Sequence, residues 1–197
     1  MTFSEFVKKY DKKNTIVLLE GKRQVAEGDQ EKLVALGRLL ASKTKKMTFR
    51  SGNASGSDQL FSDGVASVDN TRLQVITPYS GHRDKTNRSY ETISLDDIDL
   101  AAEEEVIFYS RGNKKTAALI DPFLSGEKNR HTIKAAYIIR DTIKVLGAGD
   151  VPPATFGIFY DDLADPKKGG TGHTMQVCEQ NQVPLIDQKV WFNWLTD

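Results

Sequence analysis

Short apolar runs that read as buried strands alternate along this chain with stretches whose apolar residues recur every three or four positions. That alternation restricts the fold more than any other property. Thr15-Ile16-Val17-Leu18-Leu19-Glu20, ending at Gly21, is the continuous apolar run expected of a parallel strand covered on both faces. After Asp29, a predicted N-cap, Leu33, Leu36, Gly37 and Leu40 mark one face of a helix. Met47-Thr48-Phe49-Arg50 reads as a second strand, Leu60, Phe61, Val65 and Ala66 as a short helix, and Leu73-Gln74-Val75-Ile76-Thr77-Pro78 as a third strand. Further on, Ile133, Ala136, Ile139, Ile143 and Leu146 trace a helical stripe stopped by Gly147-Ala148-Gly149. Residues 154–160 then read as a strand, 174–180 as a helix and 183–187 as a last strand. The order predicts an α/β fold with a doubly wound, mainly parallel sheet and helices on both faces, whose ligands bind outside the carboxyl ends of the strands.

Two glycine-rich segments each stand between a predicted strand and a predicted helix. They are Ser51-Gly52-Asn53-Ala54-Ser55-Gly56-Ser57-Asp58 and Lys168-Gly169-Gly170-Thr171-Gly172-His173-Thr174. Glycine lets the backbone approach a ligand closely, and the helix that follows offers unpaired N–H groups to an anion. Each segment also has a plain structural reading: a helix cap at Ser55 or Ser57 with Asp58 complementing the dipole, and a simple chain reversal at the second. Two such turns at one sheet edge point to a shared nucleotide or phosphate pocket. Asp58 would oppose a phosphate placed beside it, which puts the expected anion on the backbone of residues 52–55. Glu20, ending the first strand, is a candidate for a ribose hydroxyl, with an ion pair to Arg23 as the alternative. Arg50 is a candidate for a bidentate phosphate contact, with a surface ion pair as the alternative. His173 is placed to reach a phosphate or sugar, although a lone histidine also serves in packing. The ligand-binding set is therefore Glu20, Gly21, Arg50, Ser51, Gly52, Asn53, Ala54, Ser55, Asp58, Arg140, Gly169, Gly170, Thr171, Gly172, His173 and Thr174.

At 197 residues the chain is most simply a single domain, with a less regular insertion or lid at about residues 79–127. Phe3, Phe6, Val7 and Tyr10 suggest a short amphipathic helix, and Trp191 and Trp194 serve the core or a subunit interface. The 27 Lys and Arg balance 27 Asp and Glu, so no global field draws the protein to nucleic acid or a membrane. The single cysteine, Cys178, excludes an internal disulfide and fits a reducing, cytoplasmic setting as a buried thiol. No apolar stretch approaches the roughly 18 to 20 residues of a membrane span, and no signal-peptide core is expected. His82, His131 and His173 show no metal-ligand spacing, so no metal is expected; Asp161 and Asp162 read as a solvated loop pair before a magnesium site.

The motifs carry a family resemblance. Residues 50–58 resemble the SGGAxGAD turn of the SLOG superfamily, a Rossmann-like group related to the DNA-processing protein A and LOG/lysine decarboxylase-like domains. The similarity runs closest to stand-alone bacterial and phage members. Ile76-Thr77-Pro78-Tyr79-Ser80-Gly81 is similar to their LPWxG strand end, and Arg140 with Val145-Leu146-Gly147 resembles their RNxxxVLG helix. Gly169-Gly170-Thr171-Gly172-His173-Thr174 with Val183-Pro184-Leu185 resembles their GGTGxA…IPV ending. LOG phosphoribohydrolases carry a catalytic glutamate where this chain has Gln176, and an amide cannot replace a carboxylate in acid–base work. The resemblance thus implies a nucleotide-binding module for a phosphorylated nucleoside or NAD-derived ligand, and self-association into a homo-oligomer. No other cofactor is called for, and no catalytic residue is assigned. The enzyme alternative is a nucleotide N-glycosidase using Glu91 or Asp162; a further alternative is a DNA-processing accessory protein.

Overall fold

A computed structural model describes residues 1–196. Six strands form one all-parallel sheet in the order β4-β3-β2-β1-β5-β6. In chain order they are β1 Ile16–Gly21, β2 Thr48–Ser51, β3 Leu73–Thr77, β4 Glu91–Ser94, β5 Phe156–Tyr160 and β6 Leu185–Ile186. Helices α1 Phe3–Tyr10, α2 Glu27–Lys43, α3 Ser57–Asp69 and the short α8 Gln188–Trp191 cover one face; α4 Glu104–Arg111, α5 Ala117–Leu124, α6 Ile133–Leu146 and α7 Gly169–Gln180 cover the other. This is a Rossmann-like α/β architecture. No helix among the described residues is long and apolar enough to cross a membrane.

Covering both faces explains why the central strands read as unbroken apolar runs. Val17 and Leu19 point into the core under α2 and α3 with Phe49, Phe156 and Ile158, whereas Leu18 faces α6 and α7 with Phe159 and Val145. The same alternation turns Glu20, two residues beyond Leu18, toward α6. Trp191 and Trp194 are both buried in the first of these cores, where the Trp191 indole donates to the Phe159 carbonyl at 2.9 Å. Helix α1, closed by a Thr2–Glu5 capping box, buries Phe6 and Tyr10 beside them.

Two local expectations are corrected. Asp29 is not an N-cap: α2 begins two residues earlier, capped at Ala26, and Asp29 instead accepts from the Tyr160 hydroxyl at 2.9 Å. The helix expected at residues 174–180 begins at Gly169, so the second glycine segment is the first turn of α7 itself. Residues 79–127, which carry no clear periodicity, hold edge strand β4 and helices α4 and α5, with Val106, Ile107, Ile120 and Phe123 buried against Ile139 and Ile143 of α6.

The chain runs β1 to β4 toward one edge, then crosses back to lay β5 on the other side of β1. The carboxyl ends of β1 and β5 therefore flank the crevice where such sheets bind ligands.

Candidate functional site

A cavity of about 540 Å³ opens at that crevice. Its floor is a layer of buried charge. Lys144 of α6 is 1% exposed and stands 2.6 Å from Glu20 Oε1 and 2.7 Å from Asp141 Oδ1. Arg140 donates to Asp141 Oδ1 through Nε and Nη2, and through Nη1 to the Gly52 carbonyl at 2.5 Å. Burial alone would push Asp141 up, but Arg140 and Lys144 outweigh it and hold its carboxyl below the ordinary value. Glu20 goes the other way: burial exceeds the pull of Lys144, the Asp58 and Asp141 carboxylates add to it, and its carboxyl is raised to about 7. Apart from the Lys144 ammonium, the buried Glu20 Oε1 has no polar partner.

At the first glycine segment the Gly52 and Ala54 amides are not free for an external anion. Asp58 fills that role from within: Oδ2 accepts from the Gly52 and Ala54 amides at 3.2 and 3.3 Å, and Oδ1 accepts from the Gly21 amide at 3.3 Å. At Gly52 and Ala54 this corrects the expected anion at residues 52–55, because a carboxylate already holds those two donors. Gly56 is required here by both criteria, since its φ is 82° and a Cβ would stand 2.0 Å from the Arg23 carbonyl oxygen.

The second segment is open. Gly169, Gly170 and Thr171 form the start of α7, no side chain caps it, and all three line the cavity. An uncapped helix start presents N–H groups and the positive end of the macrodipole. Gly172, one residue on, is buried beneath: a Cβ there would stand 2.0 Å from the Lys167 carbonyl carbon and oxygen. Around this rim lie Lys22, Arg23, Lys115, Lys134 and Lys168, so seven basic side chains line the cavity against the three acids Glu20, Asp58 and Asp141.

Of the residues expected from sequence, Glu20, Gly21, Ala54, Asp58, Arg140, Gly169, Gly170 and Thr171 come together at the cavity wall. The others lie elsewhere. Arg50 is fully buried under α6, donating to Gln74 Oε1 at 2.6 Å and to the Lys144 carbonyl at 2.9 Å, and burial lowers its guanidinium to about 10. Ser51 and Gly52 are buried behind the wall, Asn53 donates to the His82 carbonyl, and Ser55 is exposed outside it. His173 is buried with Nε2 2.9 Å from Thr142 Oγ1, which receives Ser110 Oγ at 2.9 Å in turn, so it ties α7 to α6 and α4. Burial, with Lys144 adding, lowers its pKa. The Thr174 hydroxyl donates back to the Gly170 carbonyl inside α7. Glu91 is exposed, pairs with Gln74 at the amino end of β4, and lies far along the strands from the cavity mouth; Asp162 pairs with Lys22 at 3.3 Å without lining the cavity. Gln176 is exposed on α7.

Sequence reasoning missed Asp141, Lys144, Lys115, Lys134 and Tyr137. A signal existed for the first two. They stand one and four positions after Arg140 in a helix whose other residues are mostly apolar, and charges on such a helix have to be paired inside.

No family model matches the chain, and no curated protein matches it. Among solved structures it resembles DNA processing protein A from Helicobacter pylori, with a TM-score of 0.52 and 14% identity over 91% of this chain and 67% of that one. That structure was described for the unique single-stranded DNA binding mode of its own protein. At this identity the likeness is one of fold, and it agrees with the Rossmann-like sheet.

Proposed function

We propose that this protein binds a phosphorylated nucleoside or an NAD-derived ligand at the crevice between β1 and β5. The observation that carries the reading is the uncapped start of α7, facing a cavity ringed by lysine and arginine. A phosphate at Gly169, Gly170 and Thr171 would meet backbone donors, the helix dipole and the Lys168 ammonium together. The Glu20 carboxyl, which lines the cavity, is the acceptor nearest a sugar hydroxyl at the end of β1. The SLOG resemblance supports the same assignment and the expected self-association. Calorimetry and thermal-shift measurements with AMP, ADP-ribose, NAD and cyclic nucleotides test it: saturable binding of at least one is expected, and no binding at millimolar ligand overturns it.

Two other readings have an observation each. The basic rim, with the fold of a DNA-processing protein, favours single-stranded DNA, which predicts gel retardation that weakens steeply with salt. Glu20 is a cavity carboxyl raised to about 7, which favours N-glycosidic hydrolysis, read by chromatography for free base and its loss in Glu20→Gln.

A further inference from the structure

Helix α6 measures the cavity from end to end. A Cβ on Gly170 would lie 2.9 Å from Asp141 Oδ2, so the start of α7 sits beside Asp141. Tyr137 is four positions earlier, on the same helical face, and therefore about 6 Å along the axis from that point. It is half-buried and is the one aromatic side chain among the cavity's lining residues.

The ring is held in place. His82 meets it at 77° with centroids 5.6 Å apart, Tyr79 meets it at 84° and 6.5 Å, and the Arg140 guanidinium carbon lies 5.6 Å from its centroid. Burial, with Arg140, Arg83 and Arg23 adding, lowers His82 to about 4, so this neighbour is neutral at physiological pH. Ala54 and the buried Ile138 add apolar surface to the cavity, while Lys134, three positions before Tyr137 on α6, and Arg23 keep charge beside the ring. A fixed aromatic ring, one helical turn from an anion-friendly helix start, matches a ligand whose anion and aromatic ring are separated by a pentose.

We propose that the Tyr137 end of the cavity takes the nucleobase, so that the site selects nucleoside 5′-monophosphates over bare sugar phosphates. The inference rests on the proposed nucleotide reading and deepens it. Stacking of a base on an aromatic side chain is commonly worth about tenfold or more in affinity.

Titration calorimetry with AMP, GMP, CMP, UMP and ribose 5-phosphate tests it on the wild type, Tyr137→Ala and Tyr137→Phe. At least one nucleotide is expected to bind the wild type about tenfold tighter than ribose 5-phosphate. Tyr137→Ala should erase that difference with ribose 5-phosphate affinity unchanged, and Tyr137→Phe should keep it. Equal wild-type binding of ribose 5-phosphate and every nucleotide overturns this inference while leaving the phosphate site at α7 standing. Tyr137→Ala weakening both ligand types alike, or neither, also overturns it, the former showing a packing role. Absence of binding by all five overturns this inference, and the nucleotide reading falls with it when ADP-ribose, NAD and cyclic nucleotides also fail to bind.

Discussion

Replacing Glu20 by Gln separates the cost of the buried carboxylate from every other titrating group. In the native protein burial raises this carboxyl from 4.5 to about 7. Below pH 4.5 it is protonated in both the folded and unfolded states and exerts no pH dependence. Between 4.5 and 7 the unfolded chain releases its proton while the native protein keeps it, so stability falls as pH rises; above 7 the loss is complete. At 1.36 kcal/mol per unit, the full loss is roughly 3 kcal/mol. The groups facing this carboxyl are Lys144, Asp141 and Arg140 from α6, Asp58 from α3, Arg50 from β2 and Cys178 from α7. His82, lowered to about 4, acts in the opposite sense: its unfolded form binds the extra proton between pH 4 and 6.5, so its contribution rises with pH across much of the same window. The raw wild-type profile therefore mixes both slopes, and the difference between the variant and the wild type isolates Glu20. Urea unfolding followed by fluorescence of the buried Trp191 and Trp194 at pH 4.5 to 8.5 is expected to show Glu20→Gln gaining roughly 3 kcal/mol on the wild type as pH rises. A difference that stays flat across that range refutes the buried-carboxylate argument.

Asp58→Ala strips the acceptor from the amides of Gly21, Gly52 and Ala54, and should cost about 2 to 4 kcal/mol in unfolding free energy; a loss below about 1 shows that the turn finds other acceptors. Gly172→Ala drives a methyl into the Lys167 carbonyl, and should lower Tm and weaken nucleotide binding together by displacing the start of α7. Burial raises the Cys178 thiol, so a thiol reagent such as Ellman's should react very slowly with the native protein and take up one equivalent in denaturant; fast native reaction contradicts the buried placement.

The strands that were legible in the sequence are those buried on both faces. Residues of β1 and β5 carry an apolar side chain at nearly every position because helices cover them above and below. Strand β4 has only β3 beside it, and Glu91-Thr92-Ile93-Ser94 is half exposed, so neither a run nor an alternation marks it. The start of α7 was hidden for a different reason: three glycines lower helix propensity where close packing against Lys167 demands at least one of them. At the site, Arg140 was legible through its motif, while Asp141 and Lys144 carried no motif of their own. Asp58 was identified with the right location and the wrong consequence. Its charge suggested a helix-dipole partner that an anion would avoid; the folded chain uses it as the anion.

That use of Asp58 decides how a ligand can lie. The floor holds the carboxylates of Asp58, Asp141 and Glu20 against the buried cations Arg140 and Lys144, and burial raises Glu20 to about 7 because the last negative charge is poorly tolerated. A ligand anion pushed to the floor would add a fourth, in a setting screened far less than the surface. The five basic side chains stand at the rim instead, and the uncapped helix start runs from that rim to Asp141 at the edge of the floor. A ligand of the proposed class is therefore expected to keep its phosphate at the rim and turn neutral hydroxyls toward Glu20. A dinucleotide or ADP-ribose would have to lay both phosphates along Lys168, Lys22 and Arg23, because the floor rejects either one. Adding a floor carboxylate should weaken such ligands, and neutralising Glu20 should tighten them, most clearly above pH 7, where the wild-type carboxyl is charged. Unchanged affinity in Glu20→Gln at pH 8 would mean that the bound anion never feels the floor.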